Sequence, residues 1–375
     1  MPNTPNTRYT EAVSLRDAGH TYESIAQLMN YAHAGAARRA VINGLMQLGR
    51  ESEIPAGRAV SFRTGRTTRT ITVDELQGFT TLSSLTFGIE IECIGLDTYR
   101  AARALTDNGY ACANNGYTHD VMRTWKVVTD GSLSSRSGSC EVVSPPLRGN
   151  DGLNEIRSVM KVLRDAGARV NVSCGMHIHI GVDSLTQEQQ ANLIKAHQRF
   201  QPAWDALLTE RRVDNQRWAK RRTIDNADRL ATMWATSSDV RTISRQTDRY
   251  HALNINSFYK YGTFEFRLHH GSLNGKNATA WIALHLAFIA AVINDAEGMT
   301  RPLYDNIVES ELGHFTDHHQ RYTDSGYALP VESRRAACVS LVAKLEGMGV
   351  LAADAADFLR NRAGNVPSNS RSTNV

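Results

Sequence analysis

Short runs in which apolar and polar residues alternate recur through the middle of the chain, and each predicts a strand with one apolar and one polar face. Residues two apart on a strand share a face, ~6.8 Å from each other. In Phe87–Ile94 (FGIEIECI), Phe87, Ile89, Ile91 and Cys93 share one face, and Gly88, Glu90 and Glu92 the other. In CGMHIHI (Cys174–Ile180), Met176, Ile178 and Ile180 oppose His177 and His179. In GTFEFRLHH, Phe264, Phe266 and Leu268 oppose Thr263, Glu265 and Arg267. ALNINSF sets Leu253 and Ile255 against Asn254 and Asn256, and CEVVS sets Glu141 against Cys140 and Val142.

The rest of the pattern is helical. Residues 8–50 predict three short helices: Ala12, Val13 and Leu15 before Gly19, then Thr21 as a cap with Ile25, Leu28 and Met29 facing inward, then Val41, Leu45 and Leu48. The stretch resembles a helix-turn-helix module, with Arg38 and Arg39 near the start of a recognition helix, or else a small bundle that docks a protein partner. Residues 51–82 read as a linker with one strand, Arg69–Val73. Residues 83–300 form the mixed strand-and-helix domain, 301–362 a helical extension (Cys338, Leu341, Val342, Leu345), and 363–375 a disordered tail. The apolar run Trp281–Ile293, interrupted by His285, is shorter than the ~20 residues of a spanning helix and predicts a core helix and no membrane.

Composition changes this picture little: 41% hydrophobic and 21% charged residues in 375 allow two or three domains with a real core. Met1–Arg8 is polar with no apolar stretch behind it, and five unclustered cysteines form no CxxC, so a reduced, cytoplasmic protein is expected. Net charge is only +4, too mild for wholesale nucleic-acid binding. The basic run Arg199, Arg211, Arg212, Arg217, Lys220, Arg221 and Arg222 reads as a solvated helix face or as a site for an anionic ligand. Around it, Trp204, Trp218 and Trp234 read as buried residues of amphipathic helices, or as platforms for a nucleic acid or peptide.

The chemistry lies in the polar faces. Two carboxylates on one side of an apolar strand repel each other unless a cation lies between them. If the strands form one antiparallel sheet, their apolar faces pack on helices and their polar faces line one site. Its glutamates, histidines and arginine suit a hard divalent cation, Mg²⁺ or Mn²⁺ before Zn²⁺, together with a phosphate. No P-loop, GxGxxG or GxSxG sequence is present.

Five blocks, Phe87–Glu92, Trp125–Leu133, Cys140–Gly149, Cys174–Gly181 and Arg249–Asn274, resemble in this order the amidoligase family, carboxylate–amine ligases related to glutamine synthetase and glutamate–cysteine ligase. The resemblance implies an α+β fold with a curved antiparallel sheet backed by helices around a site for ATP and two or more divalent metals. ATP would phosphorylate a carboxylate, and an amine would displace the phosphate. By similarity Glu90, Glu92, Glu141, His177 and Glu265 fall at metal-ligand positions, and His179 and Lys126 where nucleotide phosphates are contacted. Arg267 matches the arginine that steadies the transferring phosphoryl group, and Arg249 a substrate- or phosphate-binding position. The base is Asp130 or an active-site glutamate, Asp130 also reading as a turn former in TDGS. Competing readings are a DNA- or partner-binding scaffold and a metal-dependent hydrolase using His177 and His179 with Glu90 or Glu92.

Overall fold

The computed structural model describes residues 7–31, 34–48, 50, 62–64, 67–69, 83–114, 122–133, 138–213, 217–315 and 328–364. Most of the expected linker, including Arg69–Val73 beyond Arg69, and nearly all of the expected tail lie outside the described residues.

Three helices open the chain, as the periodicity predicts: α1 (Thr7–Asp17), α2 (Tyr22–Leu28) and α3 (Ala34–Gln47). The Thr21 side chain caps α2 by accepting from the Ser24 N–H. Ala12, Val13, Ile25, Ala37, Val41 and Leu45 make a small core of their own. Helices α1 and α3 touch at Gly44, where a Cβ would stand 2.3 Å from the Tyr9 carbonyl oxygen. Leu28 and Leu48, expected to face inward, are exposed instead, because Leu28 is the last residue of α2 and Leu48 lies just past the end of α3. Arg38, expected at a recognition surface, is buried and donates from Nη1 to the Gly109 carbonyl. That bond ties α3 to the turn after α4 (Thr98–Asp107); the Arg39 side chain lies outside the described residues.

Strands β1 (Phe62–Thr64) and β2 (Thr67–Arg69) pair with each other. The main sheet contains β3 (Phe87–Ile94), β4 (Cys112–Asn114), β5 (Trp125–Val128), β6 (Ser139–Val143), β7 (Met176–Gly181), β8 (Leu253–Asn254) and β9 (Thr263–Phe266). Its order is β4-β5-β6-β3-β7-β9-β8, open and not closed into a barrel. The sheet is mixed, which corrects the expected all-antiparallel arrangement: β4 runs parallel to β5, and the other pairs are antiparallel. Three-residue β4 is too short to display an alternation, so nothing in the sequence marked its direction.

The helices after α4 are α5 (Gly149–Asp165), α6 (Gln187–Arg199), α7 (Gln201–Asp205), α8 (Glu210–Val213), α9 (Ile224–Thr236), α10 (Val240–Gln246), α11 (Ser257–Tyr261), α12 (Gly275–Asn294) and α13 (Ala296–Thr300). Among the described residues two 3-10 turns (Leu303–Asn306 and Glu309–His314) come next, and later α14 (Val331–Gly347) and α15 (Ala353–Gly364). Ile89, Ile91, Val127, Val142, Ile178 and Phe266 form the apolar sheet face, all buried. Helix α5 meets it where Glu155 accepts from the Trp125 indole at 2.7 Å, and α12 where His285 stacks on Phe266 at 4.0 Å between ring centroids. Helix α12 extends the predicted apolar run to 20 residues, so by length and composition it could cross a membrane; its burial makes it the core helix of this fold.

Buried Trp204 and Trp234 agree with the expected amphipathic packing, whereas Trp218 is 37% exposed. The basic run is a solvated face only in part: Arg217 is exposed and Lys220 half-exposed, but Arg199, Arg221 and Arg222 are engaged. Arg221 pairs with buried Asp205 at 2.9 Å, Arg199 with Asp228 at 2.9 Å, and Arg222 donates to the Leu253 carbonyl at 2.7 Å. Arg222 thus serves the backbone of the sheet edge, and Arg199 and Arg221 pair with acids on helices, uses that a charge count cannot reveal.

Candidate metal and phosphate site

Register explains how the polar side chains meet. Directly paired residues point to the same face, so each ladder position becomes a row across the sheet. One row runs Val128, Glu141, Glu92. The next runs Lys126, Val143, Glu90, His177. A third runs Gly88, His179, Glu265, Asn254. Four acids and two imidazoles from β3, β6, β7 and β9 therefore converge without any special loop, because glutamate or histidine occupies alternate positions of neighbouring strands.

Glu90 is the hub. Its Oε2 lies 3.0 Å from His177 Nδ1 and its Oε1 3.3 Å from His179 Nε2. Burial alone would raise the Glu90 carboxyl, but the two imidazoles outweigh it and hold that carboxyl well below its ordinary value. His177 Nδ1 also lies 3.6 Å from Glu265 Oε1, and its Nε2 4.0 Å from Glu92 Oε1. His179 Nδ1 shares a hydrogen bond of 3.0 Å with Thr263 Oγ1. Burial would lower His179, yet Glu265 and Glu90 raise it.

Glu265 is gripped from two sides: Asn254 Nδ2 donates to Oε2 at 2.5 Å, and Arg267 Nη1 donates to Oε1. Against burial, Arg267 and His179 hold Glu265 below the usual carboxylate range. Arg267 Nε donates to the Trp218 carbonyl at 3.3 Å, which fixes the plane of its fork. Glu92 accepts from the Gly175 N–H at 2.5 Å. Glu141 is the opposite of Glu90: burial, then the charges of Glu90, Glu92 and Asp130, push its carboxyl well above the ordinary value. A cation beside it would remove that penalty.

Three overlapping sets bring ligand atoms within 4.8 Å of one another: Glu90 with His179 and Glu265, Glu90 with Glu141 and His177, and Glu92 with Asp130 and Glu141. Oxygen donors with one imidazole at most fit a hard divalent cation. Asp130 thus stands among the acids while also forming its turn, accepting from the Ser132 N–H at 2.6 Å. Lys126 is buried on the Glu90 row. Arg249 is not brought to the acids: exposed, it lies over the Tyr250 ring at 5.3 Å, and Tyr250 meets Trp218 edge-on at 5.1 Å.

Sequence reasoning gave no role to Asn254 and placed Arg212 only within the basic run read as a solvated face or a site for an anionic ligand. Asn254 carried a signal, its place on the polar side of ALNINSF. Nothing singled Arg212 out from the other six basic residues, because the run has no period.

Compared with protein families, residues 83–289, more than half of the chain, match the family described as "Putative amidoligase enzyme". Among curated proteins, none matches the chain.

Proposed function

The chain belongs to the amidoligase family, and from that premise we propose that it joins a carboxylate to an amine at the expense of ATP, through an acyl phosphate. One observation carries this reading: four glutamates and His177 share one sheet face, with Arg267 locked at its end by Glu265. A scaffold has no physical use for so many buried charges.

In this reading a carboxylate oxygen of the donor attacks the γ-phosphorus of ATP and ADP leaves. The amine nitrogen then attacks the acyl carbon, phosphate leaves with the C–O bonding pair, and the amine proton passes to Asp130 or a neighbouring glutamate. Glu90, Glu92, Glu141, His177 and Glu265 would hold Mg²⁺ or Mn²⁺, which when bound neutralises phosphate charge. Arg267 presents a planar, pre-oriented fork to the transferring phosphoryl group. His179 and Lys126 serve the nucleotide phosphates, and Arg249 serves substrate at the rim through the Tyr250–Trp218 shelf. The open sheet backed by helices is compatible with a glutamine synthetase-like architecture. The substrates are a small-molecule or peptide carboxylate and an amine, in the cytoplasm. Because Arg38 is occupied by Gly109, a protein partner suits residues 8–50 better than DNA.

Thermal unfolding with Mg²⁺, ATP, both, and Zn²⁺ alone tests the reading, together with ADP release. Stabilisation that needs Mg²⁺ and ATP together supports it, at ~2.7 kcal/mol for ligand at 100 times its dissociation constant. A response to Zn²⁺ alone, with no nucleotide effect, would replace the ligase by the hydrolase.

A further inference from the structure

The polar face continues past its acids. Beyond Glu92 the same row reaches Gly175, whose N–H holds Glu92 and whose bridge partner is His270. Two arginines converge there. Arg212, on α8, donates from Nε to the Leu268 carbonyl at 3.1 Å and from Nη2 to the His269 carbonyl at 2.9 Å. A Cβ at Gly175 would stand 2.8 Å from Arg212 Nη2, 3.2 Å from His177 Nε2 and 3.3 Å from Glu92 Oε2. Glycine at 175 is what lets the guanidinium lie beside the acids.

Arg362, on α15, places Nη2 3.3 Å from His270 Nε2. A guanidinium can only donate, so Nε2 accepts and the proton of neutral His270 sits on Nδ1. That buried Nδ1–H has no partner, nor has buried Arg362 Nε. Burial, with Arg362 and Arg212 adding to it, pushes His270 down to about 4, so the ring is neutral near pH 7. Among the described residues neither arginine forms a salt bridge, and Arg212 Nη1 has no hydrogen bond. Glu92 lies near enough to favour the charge of Arg212, but burial weighs against both guanidiniums. Among the described residues no acid offsets it at Arg362, a half-buried cation that is expensive to keep. Two guanidinium forks and an unpaired imidazole N–H together match a planar or tetrahedral oxyanion.

We propose that Arg212, His270 and Arg362 form an oxyanion subsite at the Glu92 end of the polar face, holding a carboxylate or phosphate of the bound ligand. The subsite depends on the C-terminal helices: α15 supplies Arg362, and Arg334 on α14 anchors α8 by donating to Glu210 at 2.6 Å. Both helices lie beyond the family-matched residues. The proposal rests on the ligase reading only for the owner of the anion, either a second acidic group of the carboxylate donor or a phosphate of the nucleotide.

Calorimetric titration of the full-length protein in EDTA, with inorganic phosphate and separately with glutarate, tests the subsite without metal-mediated binding. Wild type is expected to bind at least one of them, and Arg362→Gln and Arg212→Gln to weaken that binding about tenfold or more each, the loss of a charge-assisted fork. Tighter glutarate binding assigns the subsite to the carboxylate donor, tighter phosphate binding to the nucleotide. Arg362 lies on a peripheral helix, so R362Q decides the matter even if R212Q does not fold. No binding by wild type, or equal binding by wild type and R362Q, would overturn the subsite. Parallel ATP turnover is an independent readout: intact phosphate binding without turnover would sink the ligase reading and leave the subsite standing.

Discussion

The two faces of the main sheet are built from the same strands and follow opposite rules. On one face Ile89, Ile91, Val142, Ile178 and Phe266 are sealed under α5 and α12, and each added contact stabilises the fold. On the other, Glu90, Glu92, Glu141 and Glu265 are crowded together, so Glu141 resists ionisation and the arrangement costs stability until a cation arrives. Alternation along a strand lets one segment be robust and strained at once. The robust face holds the strained one in register, which is how reactive geometry survives its own repulsion.

Substitutions on the two faces should therefore separate stability from activity. The largest effect is expected from Trp281→Ala on α12, whose ring packs on His269 and His285. It should cost about 3–5 kcal/mol in denaturant unfolding. On the polar face Arg267→Ala should lower ATP turnover by ~10²-fold or more while leaving the unfolding midpoint within a few degrees of wild type. An equal loss of stability would mean that Arg267 is structural.

Next comes acid sensitivity. Burial, with Arg222 adding to it, lowers His197 to about 3, and burial lowers His285 well below its ordinary value. Between pH 6.5 and about 3 the unfolded chain therefore binds more protons than the folded one, so stability rises with pH across that window and is lost as pH falls through it. His197→Phe should flatten the slope by at most ~1.4 kcal/mol per pH unit, measured as unfolding free energy against pH. Glu141→Gln should act oppositely to the core variants. Folded Glu141 retains its proton above the ordinary carboxylate range, so cation-free stability declines as pH climbs beyond that range. The glutamine removes this decline, raising the metal-free midpoint at neutral pH and shrinking the Mg²⁺-induced rise; a lower midpoint would contradict the repulsion. Smallest of all, Asp107→Asn, which breaks an exposed helical pair with Arg103 at 3.5 Å, should change stability by less than ~0.5 kcal/mol.

Much of the polar face was legible because strand alternation is a local property: FGIEIECI and CGMHIHI declare which residues share a side, and the structure keeps those assignments. Row-to-row register was less legible, since the Glu92–Glu141 and His179–Glu265 pairings depend on residues far apart in the chain. Asp130 read equally as base or turn because its carboxylate does serve a turn, and only the fold sets it beside Glu92 and Glu141. The arginines were misread for a related reason. Whether Arg38, Arg212 or Arg221 meets solvent is decided by a distant carbonyl or by buried Asp205, and local charge density holds no trace of either.

Protein synthesis runs from the N-terminus, so every strand of the main sheet leaves the ribosome before Arg334 and Arg362 do. The acid-lined face can be laid down while α8 still lacks its anchor and His270 its neighbouring guanidinium. A nascent chain thus passes through a stage with cation-seeking glutamates in place and the opposing basic flank unfinished. The contact between Arg362 and His270 makes synthesis as far as α15 a condition for completion of the proposed subsite.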